Sequence, residues 1–379
     1  MNILYVAARY HTNQIPIMSG WLKEGEQVTF ISQYRGKSED YRVLSPIVLG
    51  YSKIFKILLK IYQVAKRNTL KESALPNLFE AKYGFPPIGT TGKIIKKYRP
   101  DVVILRDYSV YNLFFCKKCR RVPCIMYTQS PLYETRIEET GFVHRLFKRM
   151  FPSVRITPVL GDEKLGNKTS EHAYFVPFVI NPYARSDVRS YFKDDIIHIL
   201  CIGKYEKRKN QLMLIKALQS IPVDNWRLTI IGEATTESHL KYKKTVEQYL
   251  QENNLLDRVE LLTNLELGQV YEYYMKSDVF VLPSTREFAS ISQLEAMACG
   301  LPVICSDTNG SSCYIADGYN GYLFTDNSQK DLQSKIALLL NSKEQIMTMG
   351  NNSLTMIQEN NSFTQYETKI KNILKEEFI

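Results

Sequence analysis

Two glutamates, Glu287 and Glu295, stand eight positions apart between two apolar runs, Val279–Leu282 and Val303–Cys305. This stretch reads as a buried strand, a tight loop around Pro283–Ser284 that carries the first carboxylate, and a short helix that carries the second. A stop at Gly300 and another strand follow. A helix opening just past the carboxyl end of a parallel strand aims unpaired backbone N–H groups into the sheet crevice, where they hold phosphate. The pattern therefore predicts a diphosphate site. A second chemical cluster, Gly203‑Lys204‑Tyr205‑Glu206‑Lys207‑Arg208‑Lys209‑Asn210, lies directly after the apolar run Leu200–Ile202 and before a helical stretch at Gln211–Gln219. A basic loop at a strand end suits an anionic ligand better than a solvated surface does.

From about Ile197 to Phe324 the chain resembles the retaining glycosyltransferases of family GT4, whose two facing Rossmann-like domains with parallel sheets and an interdomain cleft form the α/β GT‑B fold. The matching pattern is Glu287, seven residues, Glu295, then Ala296‑Met297‑Ala298 and Gly300‑Leu301‑Pro302‑Val303. The resemblance implies that Glu295 accepts hydrogen bonds from the ribose hydroxyls of a nucleotide sugar. It implies that Glu287 faces the transferred sugar and stabilises positive charge at the anomeric carbon. Backbone N–H groups of Phe288, Ala289, Ser290 and Ile291 then meet the diphosphate. Lys204, where the family has arginine, and Lys209 neutralise the departing pyrophosphate next to Gly203. The turns Ile231‑Gly232‑Glu233 and Leu262‑Thr263‑Asn264 fall where the family receives the base. One departure is Phe288‑Ala289‑Ser290, where the family has glycine, an aromatic and glycine, so side chains line a loop that is otherwise bare backbone.

On the acceptor side the family has paired glycines after its first strand and a histidine at the end of a middle strand. Here the first loop reads Ala8‑Arg9‑Tyr10‑His11, and Gln129 closes the run from Pro123. Glutamine holds a sugar hydroxyl but carries no proton. Retaining transfer with the leaving phosphate taking the acceptor proton needs no side-chain base there. Neither D‑x‑D nor G‑x‑G‑x‑x‑G occurs, so the expected reaction uses no divalent metal and no nicotinamide cofactor, with the nucleotide diphosphate sugar as substrate.

These residues need a scaffold. A length of 379 residues exceeds what one hydrophobic core organises, so two domains are expected. Short apolar runs alternate with helical patterns at Asn2–Ala7, Gln27–Ile31, Val102–Leu105, Cys124–Tyr127, Ile156–Val159, His198–Ile202, Arg227–Ile231, Val259–Leu262, Val279–Leu282 and Val303–Cys305, the signature of βα units around parallel sheets. The expected division is an acceptor-binding domain over 1–183 and a nucleotide-sugar-binding domain over 184–361. The linker is placed at Val179–Tyr183, running into the polar stretch Arg185–Asp195. Tyr366, Ile370, Ile373 and Leu374 recur at helical spacing near the end of the chain. By the family resemblance, this last helix, over 362–379, crosses back to the first domain.

Residues 1–195 carry 31 Lys and Arg against 17 Asp and Glu, and residues 196–379 carry 18 against 22, so the whole positive excess lies in the first half. Such asymmetry points that half at an anionic partner. Lys53, Lys56, Lys60 and Arg67 fall on one helical face with apolar residues opposite, and Phe142–Phe151 repeats the design with Arg145, Lys148 and Arg149. Basic amphipathic helices lie in anionic membrane interfaces. No apolar run is long enough to span a bilayer. The amino-terminal residues read as a first strand and not as a signal peptide, and the seven scattered cysteines suit a reducing compartment. Cys116 and Cys119 lack the second pair or histidine that a zinc site requires.

The combined expectation is a cytoplasmic glycosyltransferase, peripheral on the inner face of the cell membrane. It moves a hexose from a nucleotide diphosphate sugar to a glycan acceptor, plausibly lipid-linked, in surface polysaccharide or glycolipid biosynthesis, and does not act on nucleic acid. The rivals are another GT‑B enzyme, such as a nucleotide-sugar epimerase or a phosphorylase, and a noncatalytic glycan- or nucleic-acid-binding protein.

Overall fold

The computed structural model describes residues 1–36, 40–66, 80, 82–119, 121–133, 149–161, 171–181, 190–192 and 194–378. The chain divides into two compact units, Met1–Val179 with Phe363–Ile379, and Ile180–Ser362.

In the first unit the described strands are β1 (Asn2–Ala7), β2 (Gln27–Ser32), β3 (Ile47–Val48), β4 (Val102–Arg106), β5 (Cys124–Tyr127), β6 (Arg155–Thr157) and β7 (Ala173–Phe175). They form one sheet in the order β3‑β2‑β1‑β4‑β5‑β6‑β7. The pairings are parallel, with Ile3 opposite Val102 and Asn2 opposite Gln27. Alternation along β1 and β4 sends Ile3, Tyr5, Val102 and Ile104 into one core and Leu4, Val6, Val103 and Leu105 into the other. Both faces are therefore covered, as a parallel sheet requires. Helix α1 (Ile15–Lys23) follows β1, α2 is Lys53–Lys66, α3 is Thr90–Tyr98 and α4 is Val110–Lys118, the last capped by Ser109, whose side chain accepts from the Asn112 N–H.

The second unit repeats the plan. Strands β8 (Ile197–Ile202), β9 (Trp226–Gly232), β10 (Val259–Thr263), β11 (Val279–Leu282), β12 (Val303–Ser306) and β13 (Gly321–Phe324) are ordered β10‑β9‑β8‑β11‑β12‑β13. Between them lie α5 (Gln211–Gln219), α6 (Glu237–Glu252), α7 (Leu267–Lys276) and α8 (Ile291–Ala298), followed by α9 (Gln329–Leu340) and α10 (Lys343–Asn360). The core joins strand residues such as Ile199, Leu228 and Val281 to Leu214, Leu218 and Ile336 on the helices. In both sheets the chain builds outward from its first strand and then jumps to the other side, so the order reverses between β1 and β4 and between β8 and β11. Such a reversal splays the following loops apart and opens a crevice at the carboxyl ends of the strands.

Helix α11 (Phe363–Phe378) belongs to the first unit: Tyr366, Ile370 and Ile373 are buried in the core that holds Trp21 and Phe30. Gly20 on α1 makes this contact possible, because a Cβ there would meet the Phe363 ring at 2.0 Å.

Helix α2 departs from the two-faced pattern expected of it. Phe55 and Leu59 are buried, and Lys53, Lys56 and Lys60 are exposed, but Ile54, Ile57, Leu58 and Ile61 are exposed as well, at 51 to 61%. At 3.6 residues per turn these four make a third stripe, apart from both the buried face and the lysines. Arg67, Arg145, Lys148 and the stretch 182–189, which includes the last two residues of the expected linker, lie outside the described residues.

Candidate functional site

The loops after β8 and β11 flank the crevice of the second sheet. Gly203 follows β8 directly, and its lack of a side chain lets the Lys209 stem lie across it, since a Cβ there would come within 3.3 Å of Lys209 Cδ. Gln211, fully buried at the start of α5, donates to the carbonyls of Gly203 and Lys204 at 3.2 and 2.8 Å and fixes the loop. A short 3₁₀ turn over Lys207–Lys209 then brings two consecutive cations to one carboxylate. Arg208 Nη1 lies 2.9 Å from Glu287 Oε2, and Lys209 Nζ donates to the same oxygen. Glu287 and Lys209 are 12% and 11% exposed, so this contact is shielded from most solvent screening. Arg208 is oriented by Glu206 at 2.9 Å, which also faces Nε2 of the buried His239 at 3.3 Å.

The backbone around Glu287 is held just as firmly. Thr285 N–H donates to the Arg208 carbonyl at 2.8 Å, and the Glu287 carbonyl accepts from Gly310 N–H at 2.7 Å. Between them Arg286 is left-handed at φ 49, a conformation that costs a residue with a Cβ about 1 kcal/mol or more. The cost is tolerated because both neighbours are pinned, and the result is that Glu287 turns toward the loop after β8.

Helix α8 opens at Ser290, whose side chain accepts from the Gln293 N–H. One expectation is corrected here. The Ser290 N–H is committed to Ser311 Oγ at 2.7 Å, so it is not open to a diphosphate. The N–H groups of Phe288, Ala289 and Ile291 are not engaged by another described residue. The Phe288 side chain is 75% exposed at the loop tip. Glu295 lies further along α8, half-buried, and the hydroxyl of the fully buried Tyr274 is 3.0 Å from its Oε2. Burial raises the Glu295 pKa above its ordinary value, and hydrogen bonds from Tyr274 and Tyr271 oppose that rise.

The remaining donor-side candidates are placed differently. Lys204 pairs with Glu233 at 3.1 Å, away from the Glu287 contact, and the Glu233 pKa is lowered by the Thr235 hydrogen bond and by Lys204. Asn264, left-handed at φ 55, uses its side-chain oxygen to accept from Ala234 N–H at 3.0 Å and so ties the turn after β10 to the one after β9. The structure thus joins Lys209 to Glu287, leaves Glu295 with tyrosine partners and gives Lys204 to a separate carboxylate. Arg208, Tyr271 and Tyr274 were not singled out by sequence. The basic run around Arg208 was the available signal, whereas the tyrosines gave none.

In the first unit, the loop after β1 places Arg9 Nε 3.4 Å from His11 Nε2. Burial lowers the His11 pKa to about 3, with Arg106 and Arg9 adding to the fall, so the ring is neutral at pH 7. Arg106, at the end of β4 and buried, lies over the Tyr127 ring at 5.7 Å and reaches Asn13 at 3.5 Å, and Gln129 hydrogen-bonds the Tyr127 side chain. The acceptor-side candidates therefore gather around Arg106. Cys116 and Cys119 are free thiols, and no group of ligands that could hold a metal ion occurs among the described residues.

These two crevices are the setting for the comparison with known proteins. Residues 185–356 match the family Glycosyl transferases group 1. The group 1 match covers the whole Glu287 and Glu295 neighbourhood. An uncharacterized glycosyltransferase of Methanocaldococcus jannaschii is 32% identical over 153 residues, 40% of this chain and 41% of that one. A UDP‑Gal:alpha‑D‑GlcNAc‑diphosphoundecaprenol alpha‑1,3‑galactosyltransferase of Escherichia coli is 32% identical over 143 residues, 37% of this chain and 34% of that one. The chain thus spans less than half the length of these curated relatives. Among solved structures, a lipopolysaccharide outer core galactosyltransferase superposes over 100% of both chains with a TM-score of 0.70 at 16% identity. At that identity the likeness shows the fold: two Rossmann-like α/β units with parallel sheets, as in the GT‑B glycosyltransferases.

Proposed function

We propose that the protein is a retaining glycosyltransferase of the GT4 type that transfers a hexose from a nucleotide diphosphate sugar to a lipid-linked saccharide in surface polysaccharide or glycolipid assembly. The observation that carries this reading is the shielded contact of Glu287 with Lys209, joined from the solvent side by Arg208, at the switch point of the second sheet. A carboxylate beside two cations suits a group transfer in which positive charge grows on the sugar while negative charge grows on the departing diphosphate. Glu287 attends the sugar, Lys209 and Arg208 the diphosphate, and Glu295 the ribose hydroxyls. Lys204 is assigned to the diphosphate through release from Glu233, and Gly203 and Asn264 to the walls of the donor pocket. Arg9, His11 and Gln129 are assigned to the acceptor. The reaction is proposed to run without a divalent metal.

The saccharide carrier follows from α2. Ile54, Ile57, Leu58 and Ile61 form an exposed apolar stripe beside Lys53, Lys56 and Lys60, a combination that suits the interface of an anionic bilayer. No described helix is long and apolar enough to cross a membrane. We accordingly place the protein in the cytoplasm, peripheral on the inner face of the cell membrane.

The test is calorimetric titration with nucleoside diphosphates and their sugars, followed by transfer assays on prenyl-diphosphate-linked saccharides with analysis of the product anomer. Binding of a nucleoside diphosphate, transfer with retained configuration and insensitivity to EDTA are expected. A chain that binds none of these nucleotides has a different function.

A further inference from the structure

The first sheet carries at its own switch point a residue held in the same unusual way as Arg286. Asp107 is the first residue after β4, and its φ of 65 is left-handed, a conformation that favours glycine. Three hydrogen bonds enforce it. Asp107 N–H donates to the Tyr127 carbonyl at 2.9 Å, and Nδ2 of the fully buried Asn112 donates to the carbonyls of Arg106 and Asp107, both at 2.7 Å. Neighbouring structure thus over-determines a strained residue, a condition that collects at ligand sites. Its carboxyl is 63% exposed, and its one described ion pair is a long one, 3.7 Å to Arg106 Nε.

From the pinned backbone, the open carboxyl and the nearby Arg9 and His11 loop, we infer that Asp107 is an acceptor-binding residue whose carboxylate accepts hydrogen bonds from hydroxyls of the saccharide acceptor. The inference rests on the glycosyltransferase reading and deepens it by naming a contact to the acceptor that neither Arg9, His11 nor Gln129 supplies. Carboxylates suit vicinal sugar hydroxyls because two oxygens accept in parallel and offer no competing donor. Arg106, beneath the carboxyl, limits the cost of keeping it ionised.

The experiment compares wild type with Asp107→Gly and Asp107→Asn, using UDP‑galactose as donor and a short-chain prenyl-diphosphate-linked N‑acetylglucosamine as acceptor. Glycine accepts the left-handed backbone and removes the side chain with its carboxyl, whereas asparagine keeps one acceptor oxygen. For Asp107→Gly the acceptor KM should rise about ten- to hundredfold, the Kd for UDP should not move, and the unfolding temperature should hold or increase. Asp107→Asn should fall between the two. An acceptor KM unchanged in Asp107→Gly, with UDP bound as in wild type, overturns the inference alone. Parallel loss of thermal stability and UDP affinity would make Asp107 a strut and overturn it as well. A wild-type chain that binds no nucleoside diphosphate and glycosylates nothing removes the parent reading, and Asp107 with it.

Discussion

Glu287 and Lys209 set stability against activity, and a double-mutant cycle separates the two. Both side chains are about nine-tenths shielded, and Arg208, 46% exposed, supports the same carboxylate from the solvent side. Removing one partner of a buried ion pair costs about 3–5 kcal/mol because the other charge is left uncompensated. Glu287→Gln strands Lys209 but leaves an amide oxygen to accept from it, which places the cost nearer 2–3 kcal/mol, about the strength of a hydrogen bond to a charged group. Lys209→Met leaves Glu287 paired with Arg208 and should cost less, about 1–2 kcal/mol. In the double variant no stranded charge remains, so the two losses should fall short of additive by about 1–3 kcal/mol. Urea unfolding monitored on the second unit would show this as a midpoint recovered by roughly 1 M relative to the additive expectation. Sugar transfer should behave oppositely. Each single variant should lose about 10²–10³-fold in kcat, and the double should recover none of it, because both charges act on the transition state. Losses of stability that add to within about 0.5 kcal/mol would refute the pairing, and undiminished turnover in Glu287→Gln would refute its catalytic role.

Lys204→Ala and Lys209→Ala should each weaken a nucleoside diphosphate far more than the free nucleoside, measured by calorimetry; equal losses would show that neither lysine reads phosphate. Glu295→Ala should weaken nucleotide binding by about 1–3 kcal/mol through lost charged hydrogen bonds. Because the folded Glu295 pKa lies above the ordinary value of 4.5, the folded state holds more protons than the unfolded one between those two values, and stability falls as pH rises through that window. Glu295→Gln should remove this fall, a result readable from denaturant titrations at a series of pH values. Ile57→Ser with Ile61→Ser should reduce cosedimentation with anionic vesicles at both low and physiological salt. Lys53, Lys56 and Lys60 converted to glutamate should abolish it at a cost of about 1 kcal/mol per charge. Wild-type protein that ignores anionic vesicles makes the stripe and the lysines unrelated to lipid.

The interior strands were legible because each is a short, fully apolar run ended by turn residues: β1, β5 and β11 lie where the sequence puts them. The edge strands β3 and β7 were not, since a two-residue strand and a half-buried Ala‑Tyr‑Phe carry no period. β6 begins at Arg155, one residue before the expected start, and ends two residues early. A buried arginine hid the boundary, because its guanidinium spends itself on the carbonyls of Ser130, Pro131 and Leu132. In the site, Lys209 and Glu287 stood out in sequence as a strand-end cation and a pre-helix acid, and the fold brings them together. Arg208 did not, because only the 3₁₀ turn decides which members of the Lys‑Arg‑Lys run face inward. The commitment of the Ser290 N–H to Ser311 was equally hidden, since it depends on a loop 21 residues away. On α2 the period was right and its environment was not: only packing shows that Ile54, Ile57, Leu58 and Ile61 stay exposed.

The return of α11 to the first unit orders the events of synthesis. Residues 180–362 form a continuous segment with its own core, so the second unit has all its residues once the chain has passed Ser362. The first unit begins earlier yet lacks Tyr366, Ile370 and Ile373 until then, and each of these buried side chains contributes about 1.5–3 kcal/mol. At roughly 5–20 residues per second, the amino-terminal sheet waits many seconds on the ribosome with the face beside Trp21 uncovered while the later unit closes. The first half of this protein is therefore the last to be finished, and the interval is when a chaperone would find it.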